Sequence, residues 1–349
     1  MPLTESHLER EILEQPAAAR RLLAEESAHV AEIAALIREY DPRYIMLVAR
    51  GTSDNAARYG QYLFGAANGL AVALATPSLY TMYDKPPRLD GALVIAVSQS
   101  GQSPDIVSVV EEGRRQGAMT ITITNDASSP LANAAEHTIG LHAGRELSVA
   151  ATKTYTTSLL ALAMLSTALT GDADRWAQLE QVPDWMAAVT AASDVIIQKA
   201  ERYRYMNAMV VLSRGYNYAT AYEIALKLKE LTYVMAEPYS SADFKHGPVA
   251  LVEEGFPVLA IIPEGVIAPE LIEFMGGLKE RGAELLVISA LQEALAYART
   301  PLLLPGGIPE WLSPLVAVLP GQLLALGLTL AKGYAPDQPR GLRKVTLTE

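Results

Sequence analysis

Ser98-Gln99-Ser100-Gly101-Gln102-Ser103 follows the apolar run Ala92-Leu93-Val94-Ile95-Ala96-Val97 and precedes Pro104-Asp105-Ile106-Val107-Ser108-Val109-Val110, which has helical character. A continuous β-branched run predicts a strand buried on both faces, as in parallel sheets. The hydroxyls then stand where strand becomes helix. At such a junction free backbone N–H groups and the positive end of the helix dipole face outward together, a setting that holds a phosphate without Lys or Arg. Three serines add short donors and Gly101 lets the backbone come close. On the hexamer alone a well-capped Ser-rich turn explains the pattern equally well.

Outward from this stretch the chain reads as repeated α/β units. Residues 5–39 carry Glu, Leu, Ala and Arg at helical spacing, interrupted at Gln15-Pro16, and predict two helices forming an N-terminal arm over 1–40. Tyr44 to Ala49 predicts a strand, Arg50-Gly51-Thr52-Ser53-Asp54 a turn, and Asn55 to about Phe64 a helix, the opening of a βαβ unit. Further strands are expected at Leu70–Ala75, Leu93–Val97, Met119–Thr124 and Thr138–Leu141. A long helix from about Ala150 to Thr170 closes the first subdomain, 41–175. After the Gly171-Asp172-Ala173-Asp174 break, a helical stretch Trp176–Arg204 leads into a second subdomain, 195–335. There Asn207 to Asn217 mirrors the segment around Arg50–Ser53 at a constant offset that also pairs Ala57 with Ala221. With Val258–Ile262, Glu284–Ser289 and Leu302–Leu304 as strands, the expectation is two tandem doubly wound parallel-sheet subdomains of flavodoxin-like α/β type. A C-terminal tail, 336–349, follows.

The 349 residues are 50% apolar and 19% charged, enough for a sizeable core. Twenty-eight basic against 39 acidic residues leave a net charge of −11, which argues against nucleic acid and anionic membrane as partners. No cysteine is present, which removes disulfides, thiolate metal sites and a cysteine nucleophile from these residues and fits a reducing, cytoplasmic setting. The N-terminal residues lack an export-signal pattern. The apolar runs Ser158–Leu169 and Leu312–Ala331 are too short or too broken for a membrane span and read as buried helices.

The two halves differ at their equivalent loops. The second has Pro263-Glu264-Gly265 in place of the hydroxyls, with a carboxylate that repels phosphate, so one phosphate site per chain is expected. The chemistry-bearing groups lie in the second half. In a helix expected over Ala219–Val234, Glu223, Lys227 and Glu230 fall at i, i+4 and i+7 on one face, while Ala221, Ile224, Ala225, Leu228 and Leu231 cover another. An exposed Glu–Lys pair of a few tenths of a kcal/mol is the bland explanation. The first turns of a helix after a βα turn lie near the carboxyl edge of the sheet, where α/β proteins bind ligands, and a carboxylate beside an ammonium there can move a proton. His246 falls in Ser240–Pro248, read as a loop, and is the side chain that titrates nearest neutrality. His137 and His142 receive no role. No His, Asp and Glu spacing suggests a metal site, and no cofactor is expected. On composition alone, Arg340-Gly341-Leu342-Arg343-Lys344 is a frayed basic end.

Taken together, the pieces resemble the sugar-isomerase (SIS) superfamily, and within it the isomerase domain of glucosamine-6-phosphate synthases and the stand-alone glucosamine-6-phosphate deaminases. The resemblance runs nearly end to end. It is carried by Glu11-Ile12-Leu13-Glu14-Gln15-Pro16, Arg50–Ser53, Ser98–Gly101, Glu146 through Val149-Ala150-Ala151-Thr152-Lys153, Glu223 through Glu230, Lys245-His246-Gly247-Pro248 and Pro339 through Lys344. It implies that Thr52 or Ser53, Ser98, Gln99, Ser100 and Ser103 bind a sugar phosphate, with Val149 and Ala151 in the sugar-contacting segment. It implies that Glu230 shuttles a proton between C1 and C2, and that His246, reaching in from the neighbouring subunit of a homodimer, helps open the ring. Lys344 is similar to the lysine that forms a Schiff base with the ketose, and Glu223 and Lys227 to residues that position the substrate.

The departures choose the expected reaction. The synthases carry a glutaminase domain with an N-terminal cysteine nucleophile, and these residues have neither, so glutamine-dependent amidotransfer is not expected. Ala151 stands where the family often has Ser, and Gly341 and Arg343 stand where the synthase pattern has Asn and a small residue. The expectation is a cytoplasmic homodimer converting glucosamine 6-phosphate to fructose 6-phosphate and ammonia. The alternatives are a related phosphosugar isomerase, a fructosamine-6-phosphate deglycase, or a non-catalytic sugar-phosphate sensor, which needs the serine loop but not Glu230, His246 and Lys344.

Overall fold

The computed structural model describes residues 6–344. Two compact units emerge. One comprises residues 15–146, 153–181 and 343–344, the other 6–14, 147–152 and 182–342. Among the described residues each unit is built on one five-stranded parallel sheet.

The chain enters through α1 (His7–Leu13), which belongs to the later unit, and α2 (Gln15–Tyr40), which belongs to the earlier one. Pro16 sits in the first turn of α2, where its missing N–H goes unused, so the expected interruption at Gln15-Pro16 is the start of the second helix. In the earlier unit the strands β1 (Tyr44–Val48), β2 (Ala71–Leu74), β3 (Ala92–Ser98), β4 (Met119–Thr124) and β5 (His137–Gly140) lie in the order β2-β1-β3-β4-β5. β3 is central, paired to β1 (Tyr44↔Ala92) and β4 (Ser98↔Thr124), and every one of its residues is buried. That burial is the reason for its unbroken apolar run. The connecting helices are α3 (Thr52–Asn68), the short α4 (Ser78–Thr81), α5 (Pro104–Arg115), α6 (Pro130–Ala134) and α7 (Lys153–Thr170). On one face Val48, Val94 and Ala96 pack against Ile106, Val109 and Val110 of α5.

α8 (Ala173–Thr190) and α9 (Ser193–Lys199) follow, then β6 (Ala208–Ser213), α10 (Tyr218–Thr232), β7 (Met235–Ser240), α11 (Ser241–Lys245), β8 (Pro257–Ile262), α12 (Ala268–Glu280), β9 (Glu284–Ser289), α13 (Gln292–Leu295), β10 (Thr300–Leu303) and α14 (Ser313–Ala331). The later sheet runs β10-β9-β8-β6-β7, which read from the other edge is the same order as the first. α12 occupies the place of α5: Leu271, Met275 and Leu278 pack on Val210, Leu212, Val258 and Ala260. The internal duplication expected from sequence thus extends to topology and to the packed face. α14 has the length and apolarity of a membrane span, but 89% of its most apolar window is buried in the protein.

Several expected boundaries shift. The helix after β1 starts at Thr52 rather than Asn55, because Gly51 takes φ +54° and the Ser53 and Asp54 amides already close turns onto Arg50 and Gly51. The long helix starts at Lys153, not Ala150, since Glu146 accepts from the Thr154 amide and hydroxyl and leaves 146–152 non-helical. The helical stretch 176–204 begins earlier, at Ala173, and breaks between Thr190 and Ser193 into α8 and α9, with a 3₁₀ turn over Ala200–Tyr203. β7 was not anticipated: Glu237 and Pro238 mask it, and Pro is tolerated because β7 is an edge strand. The His246 segment is not a loop. It is helix α11, with His246 as its C-cap.

Candidate functional site

Order 2-1-3-4-5 puts a topological switch point between the first and third strands, where flavodoxin-like sheets bind ligands. In the earlier unit the residues beyond β1 and β3 meet that position. Thr52 and Ser53 open α3, and Ser98–Ser103 join β3 to α5. The Ser98 hydroxyl is buried and accepts the Gly101 N–H at 3.1 Å, folding the turn over itself. Gly101 has φ +62°, and a Cβ there would lie 2.5 Å from Ser129 Cβ. Only glycine fits. Ser103 is the N-cap of α5, yet its side chain makes no capping bond, and Ser100 is half-buried. A hydroxyl and a helix N-terminus are therefore presented together. Behind them the fully buried Asp105 accepts from Arg50 Nε at 2.8 Å and from the Ile106 N–H. Burial raises the Asp54 carboxyl of α3 above its ordinary value, with Arg58 and Arg50 opposing.

Lys344 belongs to the same unit, and it is not frayed. Its Nζ lies 2.7 Å from Oε2 of Glu146, whose side chain is fully buried and also takes both Thr154 donors at the start of α7. Glu146 thus fixes a helix start and the C-terminal amine at once. Lys153 gives its ammonium to the Arg145 carbonyl at 2.7 Å.

In the later unit, Glu223, Lys227 and Glu230 do share a face of α10. Lys227 is 1% exposed, with Nζ 3.5 Å from Glu223 Oε1 and 2.6 Å from Glu230 Oε2; Glu223 is wholly buried and Glu230 partly open. The Glu230 contact is an ion pair without hydrogen-bond alignment. The bland exposed pair is therefore excluded. Glu223 lies in the second turn of α10, but Glu230 is two residues from the end of the helix, about 18 Å along the axis from Tyr218 at 1.5 Å per residue. Glu230 therefore lies away from the carboxyl edge of its own sheet. His246 is exposed at the end of α11, followed by Gly247 at φ +140°.

At the mouth of the later sheet, carboxylates take up loop amides. Glu310 accepts the Val266 N–H at 2.7 Å, and Glu264 accepts the Gly307 N–H at 2.6 Å. A cavity of about 490 Å³ beside them is lined by Glu264, Glu273, Ile272 and Tyr297.

Val149 and Ala151 lie half-exposed on 147–152, whose start is held by a residue the sequence reading left without a role. Glu11 of α1 is buried and accepts the Leu147 and Ser148 amides, the latter at 3.1 Å. The tail is anchored as well. Asp337 accepts the His7 and Leu8 amides at 2.9 and 3.0 Å, and Arg340 lies 3.6 Å over the Tyr233 ring while its N–H donates to the Tyr233 hydroxyl. Burial would raise the Tyr233 phenol, but the Arg340 N–H and guanidinium bring it below its ordinary value. The signals for both lay in the quoted motifs at Glu11–Pro16 and Pro339–Lys344, but the partners are far away in sequence. Among the described residues no group of three or more His, Asp and Glu could hold a metal ion.

Comparison with known proteins bears on the fold and the family. The model of the SIS domain matches residues 40–168 and again 204–331. The glutamine–fructose-6-phosphate aminotransferase (isomerizing) of Thermococcus kodakarensis is 35% identical over 351 residues; the match covers 97% of this chain, which spans 58% of that relative. A solved structure from Silicibacter pomeroyi DSS-3, provisionally described as a phosphosugar isomerase, superposes with TM-score 0.86 at 37% identity, covering 95% of this chain and all of that one. The C-terminal domain of glucosamine-fructose-6-phosphate aminotransferase from Francisella tularensis gives TM-score 0.87 at 27% identity, covering 97% of this chain and 99% of that one. With two matched copies over most of its length, each on a sheet of the same strand order, the chain belongs to the SIS domain family.

Proposed function

We propose that this chain isomerises an amino-sugar phosphate and releases its nitrogen, converting glucosamine 6-phosphate and water to fructose 6-phosphate and ammonia. The observation that carries the reading is the buried set on α10. Lys227 is held between Glu223 and Glu230, and Glu230 keeps partial access to solvent. Burying the Glu223 and Lys227 charges is expensive for a fold and adds nothing to phosphate binding by a serine loop. It suits a catalyst that needs a placed carboxylate. The relatives' names, with isomerase and aminotransferase activity on phosphosugars, support the substrate class.

The phosphate is taken by the Ser98–Ser103 turn with Thr52 and Ser53, Gln99 and Ser100 included. His246 moves a proton from the C1 hydroxyl to the ring oxygen and opens the sugar. Glu230 removes the C2 proton and returns it to C1, while a proton passes from the nitrogen to the C1 oxygen, so that the C2 amine becomes an imine and C1 a hydroxymethyl group. Lys344 adds to that imine, ammonia leaves, and water then releases the ketose and restores the amine. Glu223 and Lys227 orient and polarise the substrate, and Val149 and Ala151 contact the sugar. The assembly is a homodimer in which His246 serves the neighbouring subunit's substrate. Amidotransfer would need an ammonia source outside these cysteine-free residues.

The test is ammonia release from a panel of phosphosugars. Release from glucosamine 6-phosphate, abolished by Glu230→Gln with sugar-phosphate affinity retained, is expected. Tight binding with no release from any member would leave a sensor, and preferential release from a fructosamine 6-phosphate would make it a deglycase.

A further inference from the structure

Helix α11 is five residues long, and a helix of that length does not hold itself. Its N-cap Ser240 makes no side-chain capping bond, and its C-cap is His246. Its position is set from outside. Phe244 is fully buried, against Tyr239 at 5.2 Å and edge-on to Phe274 of α12 at 6.2 Å between ring centroids. Glu270, in the first turn of α12, accepts the Ser241 hydroxyl at 2.9 Å through Oε2 and the Lys245 ammonium through Oε1. One carboxylate thereby ties both ends of α11. Lys245 also lies 4.7 Å over the Phe274 ring, and Arg214 stands 3.7 Å from Glu270 Oε2.

The duplication explains how this tie arose. In the earlier unit Arg50, just beyond β1, pairs with Asp105 in the first turn of α5. In the later unit Arg214, just beyond β6, faces Glu270 in the first turn of the equivalent α12. The shorter carboxylate is buried and spent locally on Arg50 and the Ile106 N–H. The longer one reaches further, leaving Arg214 at arm's length and gripping α11 instead.

From this we propose that Glu270 is a positioning residue for His246. The inference rests on the reading of His246 as the ring-opening group. Lys245 precedes His246 directly, so the Glu270 grip on Lys245 and Ser241, with Phe244 as the pivot, fixes the direction from which the imidazole approaches. Without the carboxylate, α11 keeps its apolar anchor and loses its orientation.

The experiment compares wild type with Glu270→Ala and Glu270→Gln in the full chain. For Glu270→Ala, kcat on glucosamine 6-phosphate falls about tenfold or more, the scale of a misplaced catalytic group. Affinity for 2-amino-2-deoxyglucitol 6-phosphate, an open-chain analogue that needs no ring opening, changes by less than about twofold, as expected where only proton transfer is affected. Glu270→Gln keeps an acceptor for Ser241 and falls between. The imidazole NMR signals of His246, assigned with His246→Gln, shift in Glu270→Ala while those of His29, His137 and His142 stay. Unmoved His246 signals, or an equal loss of analogue affinity, overturn the proposal. If wild type turns over no amino-sugar phosphate, the catalytic reading fails, and the His246 signals alone decide whether Glu270 places that ring.

Discussion

Lys344 and Glu146 are joined at 2.7 Å, although 198 residues separate them. Glu146 accepts from three donors there, so its removal does more than free an amine. Glu146→Ala strands the Thr154 amide and hydroxyl in a buried place, a loss of about 1–3 kcal/mol per unsatisfied group. Glu146→Gln keeps one oxygen to accept the Thr154 N–H, and loses the charge and the second oxygen that takes Lys344. Chemical denaturation should therefore separate the two variants clearly, while both lower kcat/KM.

Gly101→Ala should distort the Ser98–Ser103 turn. The added methyl meets Ser129, whose hydroxyl caps α6 by accepting the Ala132 N–H at 3.2 Å and so resists displacement. Strain at positive φ adds to the clash, for a stability loss of roughly 1–3 kcal/mol. Isothermal titration with a sugar phosphate should show affinity lost in a protein that remains folded at 25 °C.

Acid sensitivity should trace partly to Glu270. Burial alone would raise its carboxyl, but Lys245, Ser241 and Arg214 outweigh burial and hold it below its ordinary value of 4.5. A depressed carboxyl contributes stability fully above the ordinary value and loses it as pH falls through the lower, folded value. Urea midpoints of wild type and Glu270→Gln should differ at pH 7 and converge as the pH drops well below 4.5. A constant difference down to that range would mean the carboxylate charge plays no part.

The tail should loosen when its clamp is cut. Arg340→Ala removes the guanidinium from between Tyr233 at 3.6 Å and Tyr334 at 5.3 Å. Hydrogen exchange across 334–344 should accelerate, with exchange in the β3 and β8 amides unchanged. Arg340→Lys should recover part of the protection, since an ammonium keeps the charge on the ring face but not the planar stack.

If His246 serves the neighbouring subunit, mixing Glu230→Gln with His246→Gln after subunit exchange should restore activity that neither has alone. Mixed dimers with no activity would confine both residues to one subunit's chemistry.

Much of this was legible because short-range patterns encode it. The apolar run into Ser98–Ser103, the repeat around Arg50 and Arg214, and the i, i+4, i+7 spacing of Glu223, Lys227 and Glu230 are each local, and the sheets and the ionic face of α10 follow from them. What escaped depends on long-range contact or on context overriding propensity. Pro238 hides a strand that an edge position tolerates, and the turn residues Ser240–Pro248 conceal a helix whose stability comes from Glu270 and Phe244. Lys344 reads as a loose basic end until buried Glu146 is found beside it. The i, i+4, i+7 spacing encodes which way Glu223, Lys227 and Glu230 face but not how far along the axis each lies, and Glu230 falls in the last turn of α10.

The membership of the two compact units carries a lesson about how this protein can be handled and made. Residues 6–14 and 147–152 build with 182–342, whereas 343–344 build with 15–146 and 153–181. No single scission in the polypeptide separates them cleanly. A ribosome emitting the chain presents the serine turn long before the amine that Glu146 awaits, and a recombinant fragment ending at residue 181 would lack the Lys344 that pairs with it.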